Sequence, residues 1–340
     1  MIRAAVIGYG LGGMAFHAPL IDGVPALELA AIATSRVDQV RERYSEVAVM
    51  TAEAVIADPS IDLVAISTPN DSHFPLARAA LEAGKHVVID KPFAITVEDG
   101  EALIALADAR GLVLSAFHNR RWDGDFLTVR ALMESQRLGD IRLAEFRWDR
   151  FRPEVTTLWR DRPEAGAGML ADLGPHLIDQ ALVLFGMPEA LTADIAVQRD
   201  DARTDDYFEL TFHYGQRRVI LAASRLIAAR RPRFALHGTQ AGFIKNGLDP
   251  QEPWMRAGGS ASAPEFGVED PANHGTLWHA DGSSETIVSE CGDYKRYYAG
   301  IADAISGKGP VPVDAADAVT GLKLIDVARQ SASEGRRITL

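Results

Sequence analysis

The chain has 340 residues, 47% of them hydrophobic and 24% charged, and its formal net charge is −12 at pH 7. This length predicts two domains, and the negative charge argues against binding to nucleic acid or to an anionic membrane surface. The single cysteine, Cys291, excludes an intramolecular disulfide, and no apolar run is long enough to cross a bilayer, so we expect a cytoplasmic protein.

The first chemical signal is a glycine-rich loop after a short apolar run. Residues 4–16 read AAVIGYGLGGMAF, which predicts a buried strand followed by the spacing G-x-G-x-x-G at Gly8, Gly10 and Gly13. Gly8 permits a tight turn, Gly10 lets the backbone approach a pyrophosphate, and Gly13 lets the next helix pack closely. The spacing predicts a dinucleotide site, although a glycine-rich turn that binds nothing has the same pattern. The predicted site also includes Tyr9, Leu11 and Gly12.

The end of the second predicted strand, residues 27–34, bears on the choice of cofactor. An acidic residue there would bind the ribose 2′-hydroxyl of NAD, but this chain has Ser35 and Arg36. Both side chains can donate to a 2′-phosphate, so NADP is favoured. Asp38 lies close by and leaves NAD open.

Two further buried strands, at residues 61–67 and 86–90, end in polar loops. In an open α/β sheet such loops line the cofactor crevice. Strands and helices alternate along this half of the chain, which predicts a mostly parallel sheet with right-handed connections. Lys91 follows the second of these strands, where substrates bind, although position alone favours a surface lysine. The predicted cofactor residues here are Ser67, Thr68, Pro69, Asn70, His73, Asp90 and Lys91.

The second half of the chain alternates differently. Residues 206–215 place Phe208, Leu210, Phe212 and Tyr214 on one face, and residues 217–227 and 233–237 add strands. Long strands with short turns predict a largely antiparallel sheet with one covered face. The basic residues Arg225, Arg230, Arg231 and Arg233 are predicted to form a solvated edge.

Asp172 and His176 are four residues apart in an otherwise apolar segment. On a continuous helix they would share one face. Pro175 fits a first helical turn, which would place His176 near a helix N-terminus, where the dipole favours neutral imidazole. Such a histidine can accept a proton from an alcohol, and a buried structural histidine is the alternative. His274 and His279 have no evident metal partners, so we predict no metal site.

Several motifs, in order along the chain, are similar to those of the glucose–fructose oxidoreductase/inositol dehydrogenase (Gfo/Idh/MocA) family. They are the glycine loop with FHAPL at 16–20, TPNDSH at 68–73, AGKHV at 83–87 leading to DKP at 90–92, and DLGPH at 172–176. One departure is Asp90, where the family usually carries the longer glutamate. The resemblance implies an N-terminal Rossmann domain (1–118) and a C-terminal α/β domain (119–340) with an open, largely antiparallel sheet. We expect the last helix, about 315–333, to pack back on the first domain.

Further motifs resemble the subgroup that contains NADP-dependent scyllo-inositol 2-dehydrogenases. They are HNRRWD at 118–123, LFGMP at 184–188 and GDY at 292–294. The resemblance implies reversible oxidation of a secondary alcohol on a cyclitol or sugar. His176 would take the hydroxyl proton, Lys91 would polarise the oxygen and Asp172 would orient the substrate or His176, with the reverse roles of Lys91 and His176 left open.

The same resemblance implies other contacts and an assembly. Trp159 and Arg160 would approach the cofactor, and Asn119, Arg120 and Tyr298 would lie near the substrate. A buried tyrosine at a helix start is the alternative for Tyr298. The exposed face of the sheet would form a homodimer or homotetramer. Other functions remain open: an aldose or keto-sugar oxidoreductase, a non-catalytic NADP(H) sensor, or an NAD-assisted glycoside hydrolase.

Overall fold

The structure is a computed structural model of the chain and describes residues 1–156 and 166–340. The strands are β1 Ile2–Ile7, β2 Leu27–Ala33, β3 Ala48–Met50, β4 Leu63–Ile66, β5 His86–Ile89, β6 Leu114–Ala116, β7 Ile141–Arg147, β8 Ala190–Ala196, β9 Tyr207–Tyr214, β10 Arg217–Ser224, β11 Phe234–Gly238, β12 Ala241–Lys245, β13 Gly275–His279, β14 Ser284–Ile287 and β15 Ile338–Thr339. The helices are α1 Ala18–Asp22, α2 Val37–Arg43, α3 Ala52–Ala57, α4 His73–Glu82, α5 Val97–Arg110, α6 Gly124–Glu134, α7 Met169–Phe185, α8 Gln251–Arg256, α9 Lys295–Ile305 and α10 Ala315–Glu334.

The chain divides into two compact units. The first comprises Met1–Trp122, Pro250–Phe266 and Asp293–Thr320, and the second comprises Asp123–Asp249, Gly267–Gly292 and Gly321–Leu340. The division falls within α10, so that the first turns of this helix belong to the first unit and the remainder to the second.

The first unit is built on a parallel sheet with strand order β3-β2-β1-β4-β5-β6. Strands β1, β4 and β5 are nearly continuous runs of buried apolar residues, as expected for strands covered on both faces. The order reverses direction between β1 and β4, and a reversal of this kind opens a crevice at the carboxyl ends of the strands. The parallel sheet predicted from the sequence is confirmed.

Local signals in the sequence fix the helix ends of this unit. The Thr96 hydroxyl accepts a hydrogen bond from the Asp99 N–H at 3.1 Å and caps the start of α5. Gly111 ends that helix with a left-handed backbone, φ +63°. Gly84, with φ +79°, ends α4 in the same way.

The second unit contains a mixed sheet of nine strands among the described residues, in the order β14-β13-β12-β11-β7-β10-β9-β8-β15. Strands β7 and β10 pair in parallel, and the other described neighbours pair antiparallel. The alternation predicted for β9 is confirmed, because Phe208, Leu210 and Phe212 are fully buried. They join side chains of α6, α7 and the second half of α10 in one hydrophobic core.

Helix α7 corrects one expectation. It begins at Met169, so Pro175 lies inside the helix and His176 is two turns from the N-terminus. The argument that the helix dipole keeps His176 neutral is therefore wrong, because the dipole acts within the first turn. The helix starts early because Asp205 binds its first N–H groups: Oδ2 accepts from Leu170 N at 2.7 Å, and the Asp205 carbonyl accepts from Met169 N at 2.9 Å.

No helix within residues 1–156 or 166–340 is long and apolar enough to span a membrane.

Candidate active site

The glycine loop starts where β1 ends. Gly8 has φ +101°, and a Cβ atom at this position would lie 2.3 Å from the carbonyl oxygen of Ser67, so no side chain fits. A Cβ at Gly13 would lie 2.0 Å from the Gly8 carbonyl oxygen. These two glycines allow the loop to fold tightly against the end of β4 and on itself.

The middle of the loop leaves room for a dinucleotide. A Cβ at Gly10 would meet no atom within 4 Å, which means that this backbone faces open space. A Cβ at Gly12 would instead lie 2.3 Å from Ser67 Oγ and 2.4 Å from Asp90 Oδ2. The loop therefore fits a bound dinucleotide: bare backbone is available to a pyrophosphate, and two polar side chains lie beside it. Leu11 is exposed and Tyr9 is buried.

Ser35 and Arg36 lie at the end of β2, as predicted, and both are exposed. The Arg36 side chain reaches back to the glycine loop, where Nη1 donates to the Tyr9 carbonyl at 3.2 Å. Asp38 lies in the first turn of α2 and is also exposed. A guanidinium at the glycine loop gives this end of the crevice a positive charge.

The loop after β4 is fixed by a short hydrogen-bond network. Ser72 Oγ donates to the Pro69 carbonyl at 2.6 Å and accepts from Thr68 Oγ1 at 2.7 Å. The buried His73 ring lies between two carbonyl oxygens, 2.8 Å from that of Pro92 and 2.9 Å from that of Thr68. His73 thereby joins the loop after β4 to the loop after β5. Asn70 begins the short 3-10 turn Asn70–Ser72, which leads from the loop after β4 into α4.

Both carboxylate oxygens of Asp90 accept hydrogen bonds. Its Oδ1 accepts from the Lys91 N–H at 2.8 Å, and its Oδ2 accepts from Ser67 Oγ at 2.9 Å. Burial would raise the pKa of Asp90, but His17, Lys91 and His73 outweigh it and lower the pKa to about 2. Asp90 is therefore ionised at neutral pH, between the glycine loop and Lys91.

His17, for which the sequence predicts no role, is fully buried beside Asp90. His17 Nε2 lies 3.4 Å from Asp90 Oδ2, and Nδ1 lies 2.6 Å from the Tyr298 hydroxyl. Tyr298 has no exposed surface and lies in the first turn of α9, which matches the predicted alternative of a buried tyrosine at a helix start. The available signal was the position of His17 in the FHAPL motif, but nothing in the sequence indicates its partner, 281 residues away.

The other predicted substrate residues of the first unit are buried too. Arg120 Nη1 donates to the Tyr294 hydroxyl at 2.6 Å, and the same guanidinium forms an ion pair with Glu252. This pairing anchors α8 within the unit. Asn119 is 4% exposed and lies in a short 3-10 turn.

In the second unit, Asp172 and His176 lie one turn apart on α7, as predicted, and both are mostly buried. Arg225 Nη2 lies 4.0 Å from Asp172 Oδ2. The His176 ring lies 5.9 Å from the Trp148 ring, centroid to centroid, with 35° between the planes. Asp172 and His176 therefore form one polar stripe on an otherwise apolar helix. Arg225 lies near the first of them, and the Trp148 ring lies near the second.

The basic residues near β11 do not form the predicted solvated edge. Arg225 and Arg233 are 5% and 3% exposed. Arg233 lies over the Trp148 ring at 5.1 Å and donates through Nη2 to Gln180 Oε1 at 2.7 Å. Arg231 pairs with Asp149, and Arg230 is the one exposed arginine of these four. The prediction failed because sequence alone does not show which arginines have partners in the interior.

Two predicted cofactor residues, Trp159 and Arg160, lie outside the described residues. Within the part of the chain that the structure describes, no three histidine, cysteine or acidic side chains are grouped so that they could hold a metal ion. Among the residues that the structure describes, the predicted site residues thus form two groups. One, around Gly12, Ser67, Asp90 and Lys91, lies in the first unit, and the other, Asp172 and His176, lies in the second.

Family models of an oxidoreductase match both halves of the chain. The family model "Oxidoreductase family, NAD-binding Rossmann fold" matches residues 2–118, and "Oxidoreductase family, C-terminal alpha/beta domain" matches residues 130–340. YdgJ of Escherichia coli, an uncharacterised oxidoreductase, is 44% identical over 343 residues, covering 100% of this chain and 99% of YdgJ. The scyllo-inositol 2-dehydrogenase (NADP(+)) IolW of Bacillus subtilis is 40% identical, covering 100% of this chain and 96% of IolW.

Solved structures give the same result. The structure of yvaA from Bacillus subtilis matches with a TM-score of 0.97 and 40% identity, covering 100% of this chain and 98% of that one. A Yersinia pestis protein matches with a TM-score of 0.95 and 43% identity, covering 100% and 97%. The chain therefore belongs to the Gfo/Idh/MocA oxidoreductase family, and it is a dehydrogenase with a Rossmann domain and a C-terminal α/β domain.

Proposed function

We propose that this dehydrogenase uses NADP and reversibly oxidises a secondary alcohol of a cyclitol or sugar, with scyllo-inositol as the first substrate to test. One observation carries the proposal. Ser67 and Asp90 lie against Gly12 of the dinucleotide loop, and Lys91 follows Asp90 directly. A lysine at this strand end, next to the glycine loop, supports a role for Lys91 beside the cofactor.

The cofactor would be held by the glycine loop and by the loops after β2, β4 and β5. Backbone N–H groups around Gly10 would bind the pyrophosphate. A bound nicotinamide supplies the hydride acceptor or donor. Arg36 supports NADP, because its guanidinium is available at the glycine loop for a 2′-phosphate.

The proton chemistry is assigned to three side chains. His176 accepts the hydroxyl proton at a ring nitrogen during oxidation and returns it during reduction. The Lys91 ammonium stabilises the negative charge that develops on the oxygen. Asp172, with Arg225 at 4.0 Å, orients the substrate hydroxyl or His176.

The choice of a polyol rests on the family and on IolW, which is named as a scyllo-inositol 2-dehydrogenase and is 40% identical. Aldoses and keto-sugars are the second class of substrate.

The test is the absorbance of reduced nicotinamide when the purified protein is mixed with NADP⁺ or NAD⁺ and a panel of inositols and aldoses. Growth of the signal with an inositol and NADP⁺ supports both parts of the proposal. A faster reaction with NAD⁺ contradicts the cofactor assignment. Reaction with an aldose alone contradicts the cyclitol assignment but keeps the reaction type, and no reaction with any of the substrates despite cofactor binding contradicts the proposed substrate class.

A further inference from the structure

A buried line of three polar side chains ends at the Asp90 carboxylate in the first unit. Tyr298 lies at the interior end, with its hydroxyl 2.6 Å from His17 Nδ1. The other ring nitrogen of His17, Nε2, lies 3.4 Å from Asp90 Oδ2. The side chain of Asp90 is 21% exposed whereas that of His17 is fully buried, so the line runs from the interior to the edge of the glycine loop.

The protonation of Asp90 and Tyr298 determines which atom donates in each hydrogen bond of the line. Asp90 is ionised at neutral pH, and a carboxylate can only accept hydrogen bonds. The proton of the ring therefore belongs on Nε2. Burial raises the pKa of Tyr298 well above its usual value, so its phenol keeps a proton to donate. The consistent arrangement is Tyr298 O–H to Nδ1 and Nε2–H towards Asp90.

The packing around His17 holds this ring in place. His17 is the last residue of the π-helical turn Gly13–His17 that follows the glycine loop. Its ring centroid lies 4.3 Å from that of Phe117, and the Tyr298 ring lies 6.0 Å from the same phenylalanine. Because the His17 ring packs against Phe117, it cannot rotate without disturbing this aromatic cluster. The position of Nε2 is therefore set by the interior.

Asp90 in turn contacts the parts of the cofactor site. One oxygen accepts from the Lys91 N–H and the other from Ser67 Oγ, beside the backbone of Gly12. A carboxylate held only by these groups could still turn about its last torsion. The imidazole on Oδ2 adds a third contact and restricts that rotation.

We propose that His17 and Tyr298 are positioning residues, which hold the Asp90 carboxylate in the orientation that the nicotinamide cofactor and Lys91 require. The role rests on the proposed function, since it assumes that the glycine loop binds a nicotinamide dinucleotide. Neither residue touches the cofactor or the substrate in this proposal. Both act through Asp90.

The main test compares two neighbouring tyrosines. Tyr298→Phe removes the hydroxyl that reaches His17, and Tyr297→Phe removes an equally buried hydroxyl that donates to Ser115 Oγ at 2.8 Å. Cofactor affinity is measured without turnover, from the fluorescence of NADPH on titration. Loss of one hydrogen bond in the line should weaken binding about fivefold in Tyr298→Phe. Tyr297→Phe should bind as the wild type does, even if its melting temperature falls.

A double-variant cycle separates positioning from general destabilisation. In the Asp90→Asn background, Tyr298→Phe should cause no further loss of affinity, because the carboxylate that it positions is gone. Equal affinity losses in the two tyrosine variants, or additive losses in the double variant, would overturn the proposal. His17→Gln, which keeps a donor, should retain more affinity than His17→Phe, which keeps only the ring, and the reverse order would also contradict it.

A measurement without cofactor keeps this inference distinct from the proposed function. Long-range proton–nitrogen NMR of ¹⁵N-labelled protein reports which nitrogen of His17 carries the hydrogen. We expect it on Nε2, with a shift of the ring signals in both Tyr298→Phe and Asp90→Asn. A neutral His17 with its hydrogen on Nδ1 would overturn the inference. If the expected signals are seen but the wild type binds neither NADP nor NAD, the proposed function fails while the line of contacts stands.

Discussion

At the scale of single residues, the site depends on groups whose charges are set by their neighbours. Contacts with His17, Lys91 and His73 lower the pKa of Asp90 and keep it ionised, and Asp172 lies near Arg225. Lys91 and His176 are assigned the chemical step. These assignments concern individual side chains, and substitutions test them directly.

Lys91→Ala and His176→Ala should each lower turnover by about a hundredfold or more, since each removes one group from proton transfer or charge stabilisation. Binding of NADPH should persist in both. Steady-state rates and NADPH fluorescence measure the two effects. His279→Ala, at an exposed position on β13, is the control and should keep the wild-type rate. Near-normal turnover in either variant would remove that residue from the mechanism.

Arg36→Ala should raise the KM for NADP but not for NAD, because only NADP carries the 2′-phosphate that the guanidinium would bind. A charge-assisted hydrogen bond predicts an effect of about tenfold or more. Initial rates with each cofactor give the comparison. Equal changes for both cofactors would show that Arg36 does not select between them.

Protonation of Asp90 should lower the free energy of unfolding at acid pH. The pKa of Asp90 is lowered to about 2 in the folded chain, whereas it is near 4 in the unfolded chain. Above pH 4 the ionised carboxylate therefore adds its full amount to the free energy of unfolding, and this stabilisation is lost as the pH falls towards 2. The contribution is about 2 kcal/mol of unfolding free energy. Urea denaturation of the wild type and Asp90→Asn should give a constant difference from pH 7 to about 5, narrowing below pH 4. A difference that widens on acidification contradicts this sign.

At the scale of elements, the glycine loop contributes exposed backbone to the candidate site, and α7 contributes polar side chains on one face. The loop leaves backbone bare at Gly10 and closes against Ser67 and Asp90 at Gly12. Helix α7 carries Asp172 and His176 one turn apart despite an internal proline. Pro175 has no N–H for the carbonyl of Ala171, so this turn lacks one helical hydrogen bond.

Gly10→Ala should weaken cofactor binding and leave the stability of the fold nearly unchanged. The new methyl group meets no atom within 4 Å, so unfolding free energy should change by less than about 0.5 kcal/mol. NADPH affinity should fall about tenfold or more, because the methyl group occupies space that the pyrophosphate needs. Gly321→Ala on α10 also meets no atom within 4 Å and is the matched control for binding. Unchanged affinity in Gly10→Ala would place the pyrophosphate elsewhere.

At the scale of the whole molecule, the second unit presents one half-exposed face of its large sheet. Thr192, Thr211, Ile220 and Glu145 lie side by side in register across four strands. All four are partly exposed in the single chain. A long sheet with a polar and β-branched face suits association with a second copy of the chain.

We therefore expect light scattering to give the mass of a dimer or tetramer of the 36.8 kDa chain. Ile220→Arg should shift the distribution towards monomer, because it places a charge on that face without altering the buried side of β10. Arg142→Ala, at an exposed position of β7, serves as the control. A monomeric wild type would contradict the predicted assembly.

The sequence by itself determined the elements and the order of the fold. Apolar runs, the G-x-G-x-x-G spacing and the alternation in β9 are local patterns, and local patterns reflect backbone geometry directly. They were enough to predict the parallel sheet, the second, mostly antiparallel sheet, and the shared helix face of Asp172 and His176. The glycine loop, Ser67 and Asp90 were predicted as one site because parallel strands end at one edge.

Only the tertiary structure decided which polar groups are buried together. Asp205 holds the start of α7, Trp148 and Gln180 receive Arg233, and Tyr298 reaches His17 across 281 residues of sequence. None of these pairs has a local signature, because the free energy of a buried polar group depends on partners that the chain brings together only when it folds.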